Sequence, residues 1–243
     1  MKDNTELKNF FKNGFFKKNS FFDTKFIENL NNEILEAKDV DRYFDKNNVL
    51  RRIEKLYDKG KFLKILNSNL LIYLNEFFNK NFVIFKDKYN AKPVGGEGFE
   101  PHYDGIFYFE KKDNTVHKGW YKYSNFFVNV LVALDYCNSS NGTIEIANAD
   151  FDDFENLIEN TKKNGTPILN KNYASSLNFQ IIDLEPGDIL FFSNLCPHKS
   201  NKNNSKNNRR TLYYTYAESD NEDIYNEYFR DKKDSISSKG GAL

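Results

Sequence analysis

Two histidines and one aspartate have the types and the spacing of a metal site. His102 and Asp104 form a His-x-Asp pair, and residues two apart on a strand point to the same face. His198 follows a predicted strand, residues 188–192, after a short turn. Two imidazoles and one carboxylate are the facial triad typical of non-haem Fe(II), with three coordination positions left open. We predict that the three side chains converge on one metal ion.

More ordinary interpretations exist for the same residues. A His-x-Asp pair often arises by chance on a surface, and a single late histidine is more often structural than a metal ligand. Zinc is a poor alternative, because neither Cys137 nor Cys196 has the paired spacing of a zinc site. The remaining histidine, His117, lies in a polar stretch and is predicted to be a solvated loop residue.

Arg209 opens the predicted strand that follows His198 in the sequence. A planar guanidinium binds a carboxylate through two parallel hydrogen bonds, which an ammonium cannot do. If His198 binds a metal, Arg209 can hold the far carboxylate of a dicarboxylic cosubstrate. Ser200 can donate a hydrogen bond to that carboxylate. The alternative is that Arg209 is a surface residue of a basic loop.

A change in hydrophobic period divides the chain. In the first third, apolar residues recur at helical spacing over residues 26–35 and again over 62–78. Later apolar segments are short, rich in β-branched and aromatic residues, and bounded by turn signals. They span residues 82–85, 105–109, 126–134, 143–146, 179–184, 188–192 and 211–217. Residues 199–208 are predicted to be a solvated loop. This order predicts helices packed on one sheet of a β-sandwich or jelly roll.

Composition limits the partners and the compartment. The 243 residues include 35 Lys plus Arg and 35 Asp plus Glu, and this zero net charge disfavours a general nucleic-acid binder. No apolar run approaches the ~20 residues of a membrane span, and the N-terminus lacks the apolar core of a signal peptide. Two cysteines make no disulfide framework. We expect a cytoplasmic protein with a small-molecule substrate and neither nucleic-acid nor membrane partners. The oligomeric state stays open.

Four stretches resemble the phytanoyl-CoA dioxygenase-like family of Fe(II)/2-oxoglutarate oxygenases. They are residues 7–15, His102-Tyr103-Asp104, residues 129–135 leading to Asn141-Gly142, and a closing motif of residues 185–192, His198-Lys199-Ser200 and Arg209. The closing motif is the most specific, since its histidine-to-arginine spacing is as expected. Two departures flank the expected pocket: residues 147–150 replace the family's Pro-Gly-Ser-His turn, and a polar insert separates Asp104 from Asn125.

The resemblance implies a mainly β (α+β) fold, a double-stranded β-helix or jelly roll, with Fe(II) held by His102, Asp104 and His198. It implies hydroxylation of an unactivated carbon with O2 and 2-oxoglutarate, and release of succinate and CO2. The expected substrate is a small polar metabolite, such as an amino acid, an amine or a phosphonate. Two alternatives stay open. One is a metal-dependent jelly-roll enzyme that does not use 2-oxoglutarate, and the other is a non-catalytic binding module.

The resemblance also assigns residues to the cosubstrate. It implies that Arg209 holds 2-oxoglutarate, and Ser200 and Asn129 match positions that often contact this cosubstrate.

We expect a single domain over residues 1–243, with a helical part (1–80), a jelly-roll core (81–217) and a C-terminal segment (218–243). Residues 222–230 or the acidic stretch 150–155 are predicted to close over substrate as a lid, and the alternative for the former is a helix that only caps the sandwich.

The aromatic residues near the predicted triad have two interpretations. Tyr103, Phe107, Tyr108, Trp120 and Tyr123 can line a substrate pocket or can pack in the core.

Overall fold

A computed structural model describes residues 5–162 and 164–235, so residues 236–243 of the predicted C-terminal segment lie outside the described part. The helices are α1 (Thr5–Asn13), α2 (Thr24–Glu36), α3 (Lys61–Phe78), α4 (Phe154–Glu159), α5 (Lys171–Ser176) and α6 (Ile224–Asp234). The strands are β1 (Phe15–Lys18), β2 (Asp41–Phe44), β3 (Leu50–Glu54), β4 (Phe82–Lys92), β5 (Phe99–His102), β6 (Tyr108–Glu110), β7 (Val116–Lys118), β8 (Phe127–Ala133), β9 (Ile144–Ile146), β10 (Gln180–Ile181), β11 (Ile189–Ser193), β12 (His198–Ser200) and β13 (Arg209–Glu218).

Two antiparallel sheets enclose the interior of the protein. The larger sheet has the strand order β1-β11-β8-β13-β4-β3-β2, and the smaller has the order β10-β9-β12-β5. Strands β6 and β7 form a separate pair. Leu131 and Leu190 of the larger sheet pack with Ile144 and Ile146 of the smaller one. Spatial neighbours are distant in sequence, as in a jelly roll, which confirms the predicted fold.

The N-terminal helices cover the outer face of the larger sheet. Leu30 of α2 and Leu70 of α3 belong to one buried cluster with Val128, Val130 and Val132 of β8. The intervening β8 residues face the smaller sheet, because side chains alternate along a strand. The prediction of helices packed on one sheet is confirmed, and the inner face of the larger sheet is left to form a cavity.

A bulge in β4 decides which of its residues reach this cavity. The register between β4 and β13 shifts near the middle of the pair. Before the shift, Phe82 and Ile84 pack with the helices, and beyond it Tyr89 does so. A shift of one residue exchanges the two faces of a strand. Lys86 and Lys88 therefore line the cavity between the sheets.

Three predictions of local structure are wrong in their extent. The first third is not helical throughout, because β1, β2 and β3 lie there and extend the larger sheet. Of residues 105–109, only the last two lie in a strand. Gly105 instead turns with a φ of +79°, and a side chain here would collide with Trp120. The predicted strand 179–184 shortens to Gln180–Ile181.

The prediction of a solvated loop over residues 199–208 is also wrong in part. Lys199 and Ser200 lie in β12. Asn203 is fully buried, and its side-chain amide donates to the carbonyls of Lys92 and Asn207. An amide that bonds to two backbone carbonyls fixes a polar loop against the protein, so polar composition here does not mean solvation.

Among the described helices, none is both long enough and apolar enough to cross a membrane.

Candidate metal centre and its cavity

The three predicted metal ligands meet at the mouth of the smaller sheet. β5 ends at His102, β12 begins at His198, and the two residues are direct partners in the antiparallel register. Their ring centroids are 4.2 Å apart. Asp104 Oδ2 lies 3.7 Å from His198 Nε2. One ligand atom from each residue lies within 4.8 Å of the others, so the group can hold one metal ion.

Asp104 reaches this point by a different route from the one predicted. β5 stops at His102, so the shared face of one strand does not align the pair. Instead the Asp104 backbone N–H donates to the Asn194 carbonyl at 3.1 Å, and the Asn194 side chain donates to the Asp104 carbonyl at 3.2 Å. These two bonds hold the turn after β5 against the turn before β12.

Each imidazole is oriented by a backbone carbonyl. Nδ1 of His102 lies 2.7 Å from the Glu100 carbonyl, and Nδ1 of His198 lies 3.0 Å from the Cys196 carbonyl. An Nδ1–H that donates there leaves the Nε2 lone pair for a metal. Burial, and secondarily the nearby His198, lowers the pKa of His102 to about 3. The ring is therefore neutral at physiological pH, as a ligand must be.

The Asp104 carboxylate is held by a short chain of hydrogen bonds. Asn129 Nδ2 donates to Asp104 Oδ2 at 2.9 Å, and Thr215 Oγ1 donates to Asn129 Oδ1 at 2.7 Å. Burial alone would raise the pKa of Asp104, but nearby His198 and Lys86 outweigh it and lower this pKa. The carboxylate is thus ionised and fixed. Asn129 contacts this carboxylate, and the contact with a cosubstrate that the resemblance implied stays a prediction.

Arg209 lies at the other end of the cavity with an unpaired nitrogen. The side chain is 2% exposed, and Nη1 donates to Thr211 Oγ1 at 3.2 Å. Its buried Nε has no hydrogen-bond partner among the described residues. By contrast, Arg210 faces outward and forms a two-bond pair with Asp135, at 2.7 and 2.6 Å. A buried, incompletely bonded guanidinium fits a carboxylate ligand.

Ser200 lies near Arg209 but already accepts a hydrogen bond. Lys92 Nζ donates to Ser200 Oγ at 2.8 Å and to the Asn201 carbonyl at 2.6 Å. Burial and the adjacent Arg209 lower the pKa of Lys92 to about 7. Sequence reasoning missed Lys92. The signal that could have found it is pairing, because Lys92 is the register partner of Arg209.

One cavity of about 450 Å³ joins these groups. Its lining includes the three predicted metal ligands, Ser200, Arg209, and three cations that the sequence did not single out, Arg52, Lys86 and Lys88. Of the five aromatic candidates, Trp120 lines the cavity. Tyr103 and Phe107 are buried in clusters, while Tyr108 and Tyr123 bond to Glu155 and Asp231.

Both candidate lid segments make contacts in the described structure. In α6, Tyr225 and Tyr228 are buried, and Tyr228 packs with Phe85 of β4 at 4.7 Å between ring centroids. In the acidic stretch, Asp150 accepts a hydrogen bond from Tyr173 at 2.8 Å. Closure of either segment over a substrate stays a prediction.

Two curated relatives with similar sequences are named for phosphonates. One, from Uncultured bacterium HF130_AEPn_1, is named 2-aminoethylphosphonate dioxygenase and is 28% identical over 188 residues, which is 76% of this chain and 66% of the relative. Another, the methylphosphonate hydroxylase of Gimesia maris, is 29% identical over 154 residues, which is 63% of this chain and 52% of the relative. The chain thus spans less than two-thirds of the length of the curated relatives it matches.

Solved structures share the fold. EctD from S. alaskensis, solved with 2-oxoglutarate and 5-hydroxyectoine, superposes with a TM-score of 0.66 at 15% identity, covering 88% of this chain and 75% of that one. The non-heme alpha ketoglutarate dependent epimerase SnoN gives a TM-score of 0.65 at 13% identity, covering 89% and 84%. At these identities the likeness shows the jelly-roll fold.

The family profile described as Phytanoyl-CoA dioxygenase (PhyH) matches residues 10–211 of this chain. That match includes both histidines, the aspartate and Arg209, and it confirms the resemblance drawn from the four sequence stretches. The chain belongs to the phytanoyl-CoA dioxygenase family.

Proposed function

We propose that the protein is an Fe(II)- and 2-oxoglutarate-dependent dioxygenase that hydroxylates an unactivated carbon of a small polar metabolite. His102, Asp104 and His198 would hold Fe(II). Arg209, with Ser200 beside it, would hold the far carboxylate of 2-oxoglutarate. Bound iron would supply the oxidation of that carbon by O2, with succinate and CO2 released from the cosubstrate.

The observation that carries the proposal is the pairing of two incomplete sites within one cavity. The His-Asp-His group offers three ligand atoms within 4.8 Å, which leaves half of an octahedron open. At the other end, Arg209 has a buried Nε without a partner in the described structure. A dicarboxylate that bridges the two would complete both. The buried arginine counts against a metal enzyme without this cosubstrate, and the His-Asp-His group counts against a non-catalytic binding module.

The remaining residues of the site position these groups. The carbonyls of Glu100 and Cys196 fix the two imidazoles. Asn129 fixes the carboxylate of Asp104. Rigid partners of this kind matter because misplacement of a ligand reduces metal affinity and activity. Lys92 holds the hydroxyl of Ser200 and adds positive charge next to Arg209.

The relatives support the choice of substrate class. Two curated relatives are named for 2-aminoethylphosphonate and methylphosphonate, and both are small polar molecules. A cavity of about 450 Å³ is within the usual size of small-molecule sites. We include amino acids, amines and phosphonates in the proposed class.

The test is anaerobic addition of Fe(II) and then 2-oxoglutarate, followed by exposure to O2. We expect Fe(II) to bind first, and 2-oxoglutarate to add a visible absorption band as it chelates the iron. Succinate should form slowly without substrate and faster with the correct one. Iron binding without any effect of 2-oxoglutarate would favour the metal enzyme without this cosubstrate. Absence of iron binding would favour the binding module.

A further inference from the structure

Three cations line the side of the cavity next to the metal centre. Lys86 and Lys88 lie on β4 and Arg52 lies on the adjacent β3. We call these three residues the cationic cluster. The ammonium of Lys86 lies 4.5 Å from the centre of the Trp120 ring, and that of Lys88 lies 5.1 Å from the centre of the Tyr213 ring. The aromatic rings thus border both ammonium groups.

The carboxylates nearby already have partners. Glu54 pairs with Lys232 at 2.6 Å and with Arg52 at 3.2 Å, and Glu100 pairs with Lys162 at 2.7 Å. Across residues 5–162 and 164–235, no carboxylate oxygen lies within ion-pair distance of either the Lys86 or the Lys88 ammonium. The carboxylate of Asp104 lines the same cavity and acts on both ammonium groups, but from beyond ion-pair distance. Neither ammonium group therefore has a paired counter-ion in the described chain.

Such groups are unfavourable without a ligand. Burying an unpaired charge costs free energy, and a cation–π contact offsets only part of that cost. Burial lowers the pKa of Lys86 to about 7 and that of Lys88 to about 8. An anion bound between the two ammonium groups would reverse this effect, because an opposite charge favours the charged form.

This anion differs from the cosubstrate carboxylate already assigned to Arg209. Arg209 is the register partner of Lys92, whereas Lys86 is that of Thr215. Thr215 bonds to Asn129, which bonds to the metal ligand Asp104. Lys88 lies four residues before Lys92, roughly 13 Å along a strand. Lys86 and Lys88 are thus closer to the level of the metal than to that of Arg209, and Arg52, the register partner of Asn90, lies between the two levels.

We propose that Lys86 and Lys88, with Arg52 beside them, bind the tetrahedral oxyanion end of the substrate, a phosphonate or a phosphate monoester. The inference rests on the proposed function, because an oxyanion bound by these lysines would place the neighbouring carbon of the substrate at the metal. A dianion with three oxygens can accept from several cationic donors at once, whereas a carboxylate carries a single charge and two oxygens.

The experiment measures binding without turnover. Methylphosphonate, acetate and methylammonium are titrated calorimetrically into the anaerobic protein with Fe(II) and 2-oxoglutarate, and into metal-free protein. The variants are Lys86→Met and Lys88→Met, which keep the length of the side chain and remove the charge. Lys64→Met serves as the matched control, because Lys64 is exposed on α3.

We expect methylphosphonate to bind more tightly than acetate, and methylammonium not to bind. Each lysine variant should weaken methylphosphonate binding by about tenfold or more, since a charged hydrogen bond is worth that factor. Lys64→Met should have no effect on methylphosphonate binding. The melting temperature of the ligand-free variants should be unchanged or higher, because an unpaired buried charge has been removed.

Two results would overturn the inference. One is wild-type methylphosphonate affinity in both lysine variants. The other is weakened 2-oxoglutarate binding with unchanged methylphosphonate binding, which would place these lysines at the cosubstrate. Failure of the proposed function would look different: no Fe(II)-dependent succinate release in any variant, whatever the phosphonate affinity. Methyl phosphate, titrated in parallel with methylphosphonate, distinguishes a phosphate monoester from a phosphonate as the type of substrate. Both should bind, and the true substrate type is the one that accelerates succinate release.

Discussion

The two sides of the cavity differ in how their polar groups are satisfied. On the metal side, each imidazole and the carboxylate already has a partner that orients it, such as the amide of Asn129 on Asp104. On the side of the cationic cluster, Lys86 and Lys88 have aromatic neighbours and no carboxylate in ion-pair range within the described chain. The first side is ready for chemistry before a ligand arrives. The second depends on a ligand for charge balance, so it is suited to selecting the substrate.

Removing a metal ligand should have the largest effect and should be confined to the metal side. We expect His198→Ala to lose Fe(II) binding and to reduce succinate release by more than the ~100-fold seen when an outer partner is lost. Methylphosphonate binding to the metal-free variant should stay near wild type. Iron titration and calorimetry on one preparation check both. Wild-type turnover in this variant would contradict the assignment of the ligand, and lost phosphonate binding would contradict the separation of the two sides.

Asn129 tests how far the orientation of Asp104 matters. Asn129→Ala leaves the carboxylate without its amide donor, and we expect a loss of about 10–100-fold in iron affinity or activity. Thr215→Val keeps the shape and removes the hydroxyl behind Asn129, so its effect should be smaller. An increase in the KM for 2-oxoglutarate with unchanged iron affinity would show instead that Asn129 acts on the cosubstrate, as the family resemblance implied.

The adjacent arginines give a matched comparison at the far end of the cavity. Arg209→Lys keeps the charge and loses the planar fork, so the KM for 2-oxoglutarate should rise about tenfold or more. Iron affinity without cosubstrate should not change. Arg210→Lys should lower stability by weakening the pair with Asp135 and leave this KM unchanged. The reverse pattern would mean that the wrong arginine of the two has been assigned.

The sequence predicted the metal side better than the cationic cluster for a physical reason. His102 and Asp104 lie two residues apart, His198 follows a predicted strand and a short turn, and strand alternation separates Arg209 from Arg210. The cationic cluster depends on a register shift within β4. Strict alternation from Phe82 would have turned Lys86 toward the helices, and only the bulge turns it inward. Composition also conceals such residues, because two lysines attract no notice in a lysine-rich chain.

The position of Asp104 shows a related limit. The His-x-Asp spacing selected two residues that do come together with His198, but it did so through the assumption of a continuous strand. The bonds that place Asp104 come from Asn194, far along the chain. Contacts between distant turns leave no periodic signal in a sequence. Candidate ligands can thus be selected from local spacing, whereas the hydrogen bonds that hold them can be identified only from the fold.

Helix α6 supports the cationic cluster from behind, which leads to the prediction with the smallest expected effect. Lys232 holds Glu54, and Tyr228 borders Lys86. The helix itself is anchored by Asp231, which is bound by Tyr123 at 2.7 Å and by the ammonium groups of Lys111 and Lys122. Burial alone would raise the pKa of Asp231, but these three donors outweigh it and lower the pKa to about 2.

The lowered pKa of Asp231 means that its ionised carboxylate stabilises the folded state at any pH above the ordinary carboxyl pKa of 3.8. This stabilisation is lost as the pH falls from there toward 2. We expect Asp231→Asn to reduce the free energy of unfolding by about 1–2 kcal/mol at neutral pH, and the gap to close between pH 4 and pH 2. Asp234→Asn, at an exposed position on the same helix, is the control. Urea unfolding across this pH range provides the measurement, and a gap independent of pH would contradict the role given to the carboxylate.

The same variant separates a lid from a cap. Tyr225 and Tyr228 are buried in α6, and a helix with two buried aromatic anchors opens only at the cost of that burial. If α6 closes over substrate during turnover, loosening its anchor should raise the amount of succinate formed per hydroxylated product. If it only caps the sheet, Asp231→Asn should lower stability and leave that ratio near wild type. The burial of Tyr225 and Tyr228 favours the second result, the cap that the sequence left as the alternative, whereas a raised ratio would support the lid predicted from the sequence.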